Sequence, residues 1–386
     1  MNLGFYIILL AQFVSALADN ALLFAAIGLL QSINSPEWFT PLLKWFFVLS
    51  YIVLAPFVGS LADAYPKGRV MFVSNAIKFA GSLAMVLGIP PLISYGIVGV
   101  GAAAYSPAKY GILTEYLPSE MLVKANGWME GSTVIAIILG AFLGGKLAGF
   151  DPHLAVVVIT ALYLIASLFN LYIPVLPIDH KIKGKNPISM VTDFWCSFNA
   201  LWKDRSGQVS LAVTTLFWGA GATLQFIVID WSKSKFGYEL DHANLLIMVV
   251  AVGIAFGSIF AAKYIKLENS LKVLPAGIVM GFLVMSMVLV KDWRIAAALL
   301  FSIGVLSGYF VVPLNALLQH RGHHLIGAGH SIAVQNFNEN LGILLLIGVY
   351  TLMIKSELHI DIVVLSFGAF VSIIMTFIYK HYCKHN

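Results

Sequence analysis

Charge is scarce in this chain of 386 residues: Asp, Glu, Lys and Arg make up 11% of it, against about 25% in an ordinary soluble domain. That shortage excludes water as the main solvent of the molecule. Cysteine is scarcer still. Cys196 and Cys383 sit in unrelated contexts and provide neither a disulfide framework nor metal-like spacing. No GxGxxG, Walker, HExxH or GxSxG pattern occurs, and no histidine is followed five positions later by an aspartate, as acyl transfer of the HxxxxD type would need. An enzyme reading, and with it a cofactor or metal, has nothing to stand on. The net charge of +5 comes from thinly spread cations without a basic stripe interleaved with aromatics, which argues against nucleic acid as a partner.

What the chain has in abundance is apolar surface: 60% of residues are hydrophobic and the mean hydropathy is +0.89. Runs of about 20 apolar residues, enough to cross a bilayer, recur with short polar breaks and leave no room for a soluble domain. They predict helices near 3–30, 41–63, 70–90, 93–116, 125–149, 153–176, 208–232, 242–264, 272–290, 294–318, 327–353 and 359–381. The first is a retained helix, since it has no basic n-region, carries Asp19 and Asn20 in its middle and lacks a cleavage motif.

The longest polar break, 177–206, holds Lys181, Lys183, Lys185, Lys203 and Arg205 and divides the chain near its midpoint. It reads as a cytoplasmic linker between an N-terminal six-helix bundle, 1–176, and a C-terminal one, 207–386. With the N-terminus cytoplasmic, the outer loops hold only Lys44, Lys146, Lys233, Lys235, Lys291, Arg294 and Lys355, and twice as many cations fall inside. The positive-inside rule then places both termini in the cytoplasm. Pro107 and Lys109 recur as Pro313 and Asn315 at the same offset, and Asn126 trails Pro107 about as closely as His330 trails Pro313. Halves related in this way place a substrate near the bilayer midplane and work by alternating access.

An ionised side chain at the bilayer centre costs at least about 2.5–3.5 kcal/mol, so each one needs a cavity or a partner. Asp19, Lys78, Lys109 and Glu339 all fall inside predicted helices. Lys109 follows Pro107 among small residues and could hold a phosphate, or pair structurally with Asp19 or Glu115. Asp19, beside Asn20, could take a ligand ammonium, a coupling cation or a lysine. Gln225, in a small and polar stretch, is expected to face it across a central cavity. Gln335, Asn336, Asn338, Glu339 and Asn340 make their helix too polar for lipid, so it lines a pathway or an interface. Lys78 reads as a packing or snorkelling lysine. Glu115 and Glu130 read as gate or topology charges, and His320, His323, His324 and His330 as a solvated turn rather than a metal site or pH sensor.

The segment Gly59-Ser60-Leu61-Ala62-Asp63-Ala64-Tyr65-Pro66-Lys67-Gly68-Arg69 resembles the signature loop of the major facilitator superfamily. The resemblance implies that Asp63 meets a neighbouring helix end and that Lys67 and Arg69 steady a closed cytoplasmic gate. Ala16 to Ala25, Val98 to Leu113, Leu122 to Glu130, Val311 to Gly322, Leu216 to Leu224 and Gly327 to Asn340 look more specifically like bacterial lysophospholipid transporters. That likeness implies an inner-membrane flippase, a monomer, that returns lysophosphatidylethanolamine, and also lysophosphatidylglycerol, to the inner leaflet for reacylation by a cytoplasmic-side acyltransferase. It further implies that Asp19 and Lys109 handle the headgroup. The chain departs from that family at Gln225, where relatives carry a basic residue, and at Asp230, where they carry an apolar one. Besides the lysophospholipid site of Asp19, Asn20, Lys109, Gln225, Asn336 and Glu339, the expected gate is Asp63, Lys67, Arg69 and Glu130, and the second-half pathway Asn315, Asn340 and Asp230. A cation-coupled carrier of soluble amphipathic solutes and a membrane-embedded acyltransferase, or its partner subunit, are the competing readings.

Overall fold

In hydrocarbon a backbone has no water to bond, so a spanning segment must satisfy its own N–H and C=O groups, which a helix does. A computed structural model of the chain describes residues 3–35, 39–176, 186–238 and 240–383, and every regular element in them is helical. Lys181, Lys183 and Lys185 of the expected linker lie outside the described residues. The α-helices are α1 (Leu3–Ser32), α2 (Phe39–Ala64), α3 (Lys67–Val86), α4 (Pro91–Tyr116), α5 (Leu122–Phe150), α6 (Pro152–Asn170), α7 (Pro187–Lys203), α8 (Arg205–Phe236), α9 (Leu240–Tyr264), α10 (Leu274–Ser286), α11 (Trp293–Ile326), α12 (Ala328–Lys355) and α13 (Ile360–Cys383).

Local chemistry sets many of the boundaries. Asp151 caps α6 by accepting from the N–H groups of His153 at 2.8 Å and Leu154 at 3.1 Å, with Pro152 opening the first turn. Asp204 caps α8 through the N–H of Gly207 at 2.8 Å, and Gly237, at φ +66°, ends it in the left-handed conformation. Among the described residues, 11 helices are long and apolar enough to cross a membrane. The 26-residue α4 has the length too, but Ser94, Ser106, Lys109, Thr114 and Glu115 make it more polar.

All twelve expected segments coincide with helices, α1–α6 and α8–α13, and the differences have physical causes. The expected 177–206 linker contains α7, whose polar residues lower its mean hydropathy while one face still recurs at helical spacing: the apolar Phe194 and Leu201 are buried with the small Ser197 between them. Phe194, Trp195 and Phe198 surround the ring of Phe337 at centroid distances of 5.5, 6.0 and 6.2 Å. The segment expected at 294–318 continues to Ile326, and only Gly327, at φ +92°, separates α11 from α12. His320, His323 and His324 are therefore helical rather than part of a solvated turn. The segment expected at 272–290 is a 13-residue α-helix flanked by 3-10 turns at Leu267–Val273 and Met287–Leu289.

The chain divides into two compact units. The first joins Met1–Leu117, Ile135–Leu201 and Arg321–Phe337. In it α3 packs on α4 and α6, α2 on α4, and α1 on α6. Small residues permit these approaches: a Cβ on Gly101 would come within 2.7 Å of the Lys78 side chain and 2.6 Å of the Ser74 carbonyl oxygen. The second unit joins Pro118–Val134, Trp202–His320 and Asn338–Asn386. There α13 packs on α10 and α8, and α8 on α9.

In the second unit α9 meets α11 through Gly253 and Gly304. A Cβ on Gly304 would lie 3.0 Å from both the Gly253 Cα and the Ile254 nitrogen, where backbone cannot yield. Gly304→Val is therefore expected to destabilise the purified protein by about 1–3 kcal/mol through overpacking. Thermal unfolding in detergent checks this, and an unchanged midpoint would mean the two helices separate at no cost.

Candidate functional site

Four helices build a polar cavity in the first unit. Gln12, Ser15 and Asp19 recur at helical spacing along one face of α1, and Ala102, Tyr105, Ser106 and Lys109 do the same on α4. Lys78 reaches in from α3 and Tyr51 from α2, and together they line a space of about 70 Å³. Asp19 Oδ2 lies 2.7 Å from Lys78 Nζ, and Asp19 Oδ1 accepts from the Tyr163 hydroxyl at 2.8 Å. Lys78 also donates to Ser15 Oγ at 3.0 Å, and Ser15 donates onward to Asn75 Oδ1 at 2.8 Å. The lysine ammonium lies 4.7 Å from the centre of the Tyr105 ring and 5.9 Å from that of Tyr163.

Lys78 is thus no snorkelling side chain. Its side chain is 1% exposed, and its charge is matched by a carboxylate, a hydroxyl and two rings. Of the two partners considered for Lys109, Asp19 pairs with Lys78 and Glu115 with Lys67 at 2.7 Å. Lys109 itself is half-buried, with Nζ 4.2 Å above the Tyr110 ring. Asn20 turns its amide back to the Ala16 carbonyl at 2.8 Å, inside its own helix.

A second cluster forms where the 59–69 segment meets the start of α12. The first N–H groups of a helix lack intrahelical acceptors. Asp63, 2% exposed, accepts those of Gly329 at 2.6 Å and His330 at 3.0 Å, and the His330 ring at Nδ1 at 2.6 Å. With the proton on Nδ1 facing the carboxylate, Nε2 is the acceptor for the Ser60 hydroxyl at 3.0 Å. Lys67 bonds Asp63 at 3.1 Å and the Ala62 carbonyl at 2.7 Å besides Glu115. Arg69 is exposed at the start of α3, so Lys67 alone of the two expected basic residues enters the cluster. His330, expected in a solvated turn, is central to it.

The remaining expected residues are placed as follows. Asn336 is buried and exchanges hydrogen bonds with Ser106 at 2.9 and 3.3 Å. Asn315 donates to Glu130 at 3.4 Å, one turn from a reciprocal amide pair between Asn126 and Gln319 at 2.9 Å in each direction. Asp230 accepts from the Tyr350 hydroxyl. Gln225 is exposed on α8, Glu339 is buried and Asn340 half-buried on α12. Ser15, Asn75, Tyr163 and Gln319 are among the participants that the sequence did not single out. Lys78 and His330 do stand out in it, the one as a packing or snorkelling lysine and the other as part of a solvated turn.

The family model described as Major Facilitator Superfamily matches residues 8–347. The chain is 47% identical over 350 residues, 90% of its length and 86% of the relative's, to the Lysophospholipid transporter LplT of Yersinia pestis (strain Pestoides F). The same figures hold for the Lysophospholipid transporter LplT of Yersinia pseudotuberculosis serotype O:3 (strain YPIII). Among solved structures it is similar to the human organic anion transporter MFSD10 (TETRAN), with a TM-score of 0.76 at 13% identity over 98% of this chain and 99% of that one. It is similar also to a bacterial homologue of the iron transporter ferroportin, with a TM-score of 0.75 at 15% identity over 98% and 100%. At such identities these two show the fold alone. The match across most of the sequence and the shared fold lead to one conclusion: the chain is a multi-pass membrane transporter that belongs to the Major Facilitator Superfamily, in the family of the LplT proteins.

Proposed function

We propose that the protein carries lysophospholipids, lysophosphatidylethanolamine and lysophosphatidylglycerol among them, from the outer to the inner leaflet of a bacterial inner membrane. The observation that carries this reading is the 47% identity to lysophospholipid transporters over 90% of the chain. The cavity chemistry agrees with it. A lysophospholipid has one acyl chain and a small polar head, and unaided passage of that head through hydrocarbon is slow. Each buried methylene contributes about 0.8 kcal/mol, so apolar helix surface supplies affinity while a small polar space sorts headgroups. Lys109 meets the phosphate in this reading, and Asp19 sets the electrostatics beside it, with Asn20, Gln225, Asn336 and Glu339 completing the headgroup path and Asn315, Asn340 and Asp230 continuing it in the second half.

Movement is by alternating access of the halves 1–176 and 207–386 about the 177–206 linker, with both termini cytoplasmic. Asp63, Lys67, Arg69 and Glu130 hold the cytoplasmic gate. The working unit is a monomer, and a cytoplasmic-side acyltransferase consumes the product by reacylation.

The test is reconstitution of the purified protein in liposomes with a lysophospholipid carrying a fluorescent acyl chain, followed by dithionite quenching of the outer leaflet. Flipping of lysophosphatidylethanolamine or lysophosphatidylglycerol above that of empty liposomes is expected, and movement of neither overturns the reading. In the same assay Lys109→Ala is expected to slow flipping about tenfold, the scale of one lost hydrogen bond to a charged group. An unchanged rate would remove Lys109 from the headgroup site.

A further inference from the structure

The headgroup of lysophosphatidylethanolamine offers two handles, a phosphodiester and a primary ammonium. An ammonium site in a membrane interior needs a carboxylate, one or two neutral acceptors and aromatic faces, since the group has three donors and no acceptor. The first unit contains such a site, and a side chain of the protein fills it. Around Lys78 Nζ stand Asp19 Oδ2 at 2.7 Å, Ser15 Oγ at 3.0 Å and the Tyr105 and Tyr163 rings. The second Asp19 oxygen is engaged by the Tyr163 hydroxyl at 2.8 Å, and Ser15 is held by Asn75 at 2.8 Å. Every group that would receive a ligand amine is already engaged by the lysine or by a neighbouring side chain.

We propose, resting on the lysophospholipid reading above, that Lys78 is a built-in occupant of an ammonium cage and thereby a specificity-determining residue. A substrate amine is chemically the same group as the lysine ammonium and would have to displace it. The lysine is tethered, so its effective concentration at Asp19 exceeds that of any free lipid amine. Its expulsion would also leave a cation buried at 1% exposure without its carboxylate. Substrate amines therefore stay outside the cage, and the protein selects lysophospholipids by their phosphodiester. The substrate class is single-chain phosphodiesters of small alcohols, with or without an amine.

The experiment compares flipping of lysophosphatidylethanolamine with that of lysophosphatidylmethanol, which keeps the phosphodiester and lacks the amine, in proteoliposomes of wild type, Lys78→Met and Lys78→Gln. Wild type is expected to move the two lipids at rates within about threefold, less than one charged hydrogen bond is worth. Either variant opens the cage and is expected to shift the ratio toward lysophosphatidylethanolamine by about tenfold or more. A wild-type preference for the amine above about tenfold overturns the proposal by itself, whether or not the variants fold. A ratio unchanged in a folded variant overturns it as well. If wild type moves neither lipid, the functional reading fails first and takes the proposal with it, an outcome distinct from both.

Discussion

Asp63→Ala is expected to abolish transport and to lower the unfolding midpoint of the purified protein. The carboxylate is 2% exposed and accepts from the backbone of Gly329 and His330, from the His330 ring and from Lys67. Alanine leaves two first-turn N–H groups of α12, an imidazole and part of a lysine without their acceptor. Breaking a buried charged pair by removing one partner costs about 3–5 kcal/mol. A shift of about 3 kcal/mol between carrier states already corresponds to more than a hundredfold in population. Asp63→Asn keeps an oxygen for one N–H and should fall between alanine and wild type. His330→Ala, which loses only the ring contacts to Asp63 and Ser60, should cost less than either because the backbone bonds of α12 remain. The measurements are initial flipping rate and thermal unfolding for all three variants. A wild-type rate and midpoint in Asp63→Ala would mean the carboxylate merely fills space.

The order of these three effects shows what could be read from the sequence and what could not. Asp63 is visible through the likeness of 59–69 to the superfamily's signature loop, and Asp19 and Lys109 are visible as charges inside long apolar segments. Their partners carry no such mark. Lys78 lies 59 positions from Asp19 and Tyr163 lies 144 from it, and only the packing of α1 on α6 and α3 on both α4 and α6 brings them together. His330 sits among histidines on a polar stretch, which locally describes a solvated turn. It joins the Asp63 cluster because Gly327, at φ +92°, turns the chain so sharply that α12 begins at Ala328.

The helices were legible for a similar reason, since long apolar runs need no partner to be recognised. Hydropathy failed where the signal is periodic rather than strong. α7 intersperses polar residues around a stripe buried at helical spacing, and that stripe exists only against neighbours such as Phe337. Neutral pairs such as Asn126 with Gln319 are the least legible of all, because amides serve equally as interhelical glue and as pathway lining.

Asp19→Ala and Lys78→Ala are each expected to destabilise the protein by about 3–5 kcal/mol. Each single change strands the opposite charge beside apolar walls: the lysine is 1% exposed and the carboxylate 21%. The double variant removes both charges and should cost less than the sum of the singles, with a coupling of about 0.5–3 kcal/mol. Tyr163→Phe, which deletes one hydrogen bond to a charged group, should cost about 1.5–3 kcal/mol and leave the ion pair in place. Unfolding of the four variants in one detergent closes the cycle. Strict additivity would mean that the two charges do not depend on each other, and the 2.7 Å contact would then be no more than proximity. A large positive coupling together with lost transport in the double variant would mean that the pair stabilises the fold and that the cavity also needs the charges themselves. That combination would separate stability from headgroup handling, which a single substitution cannot do.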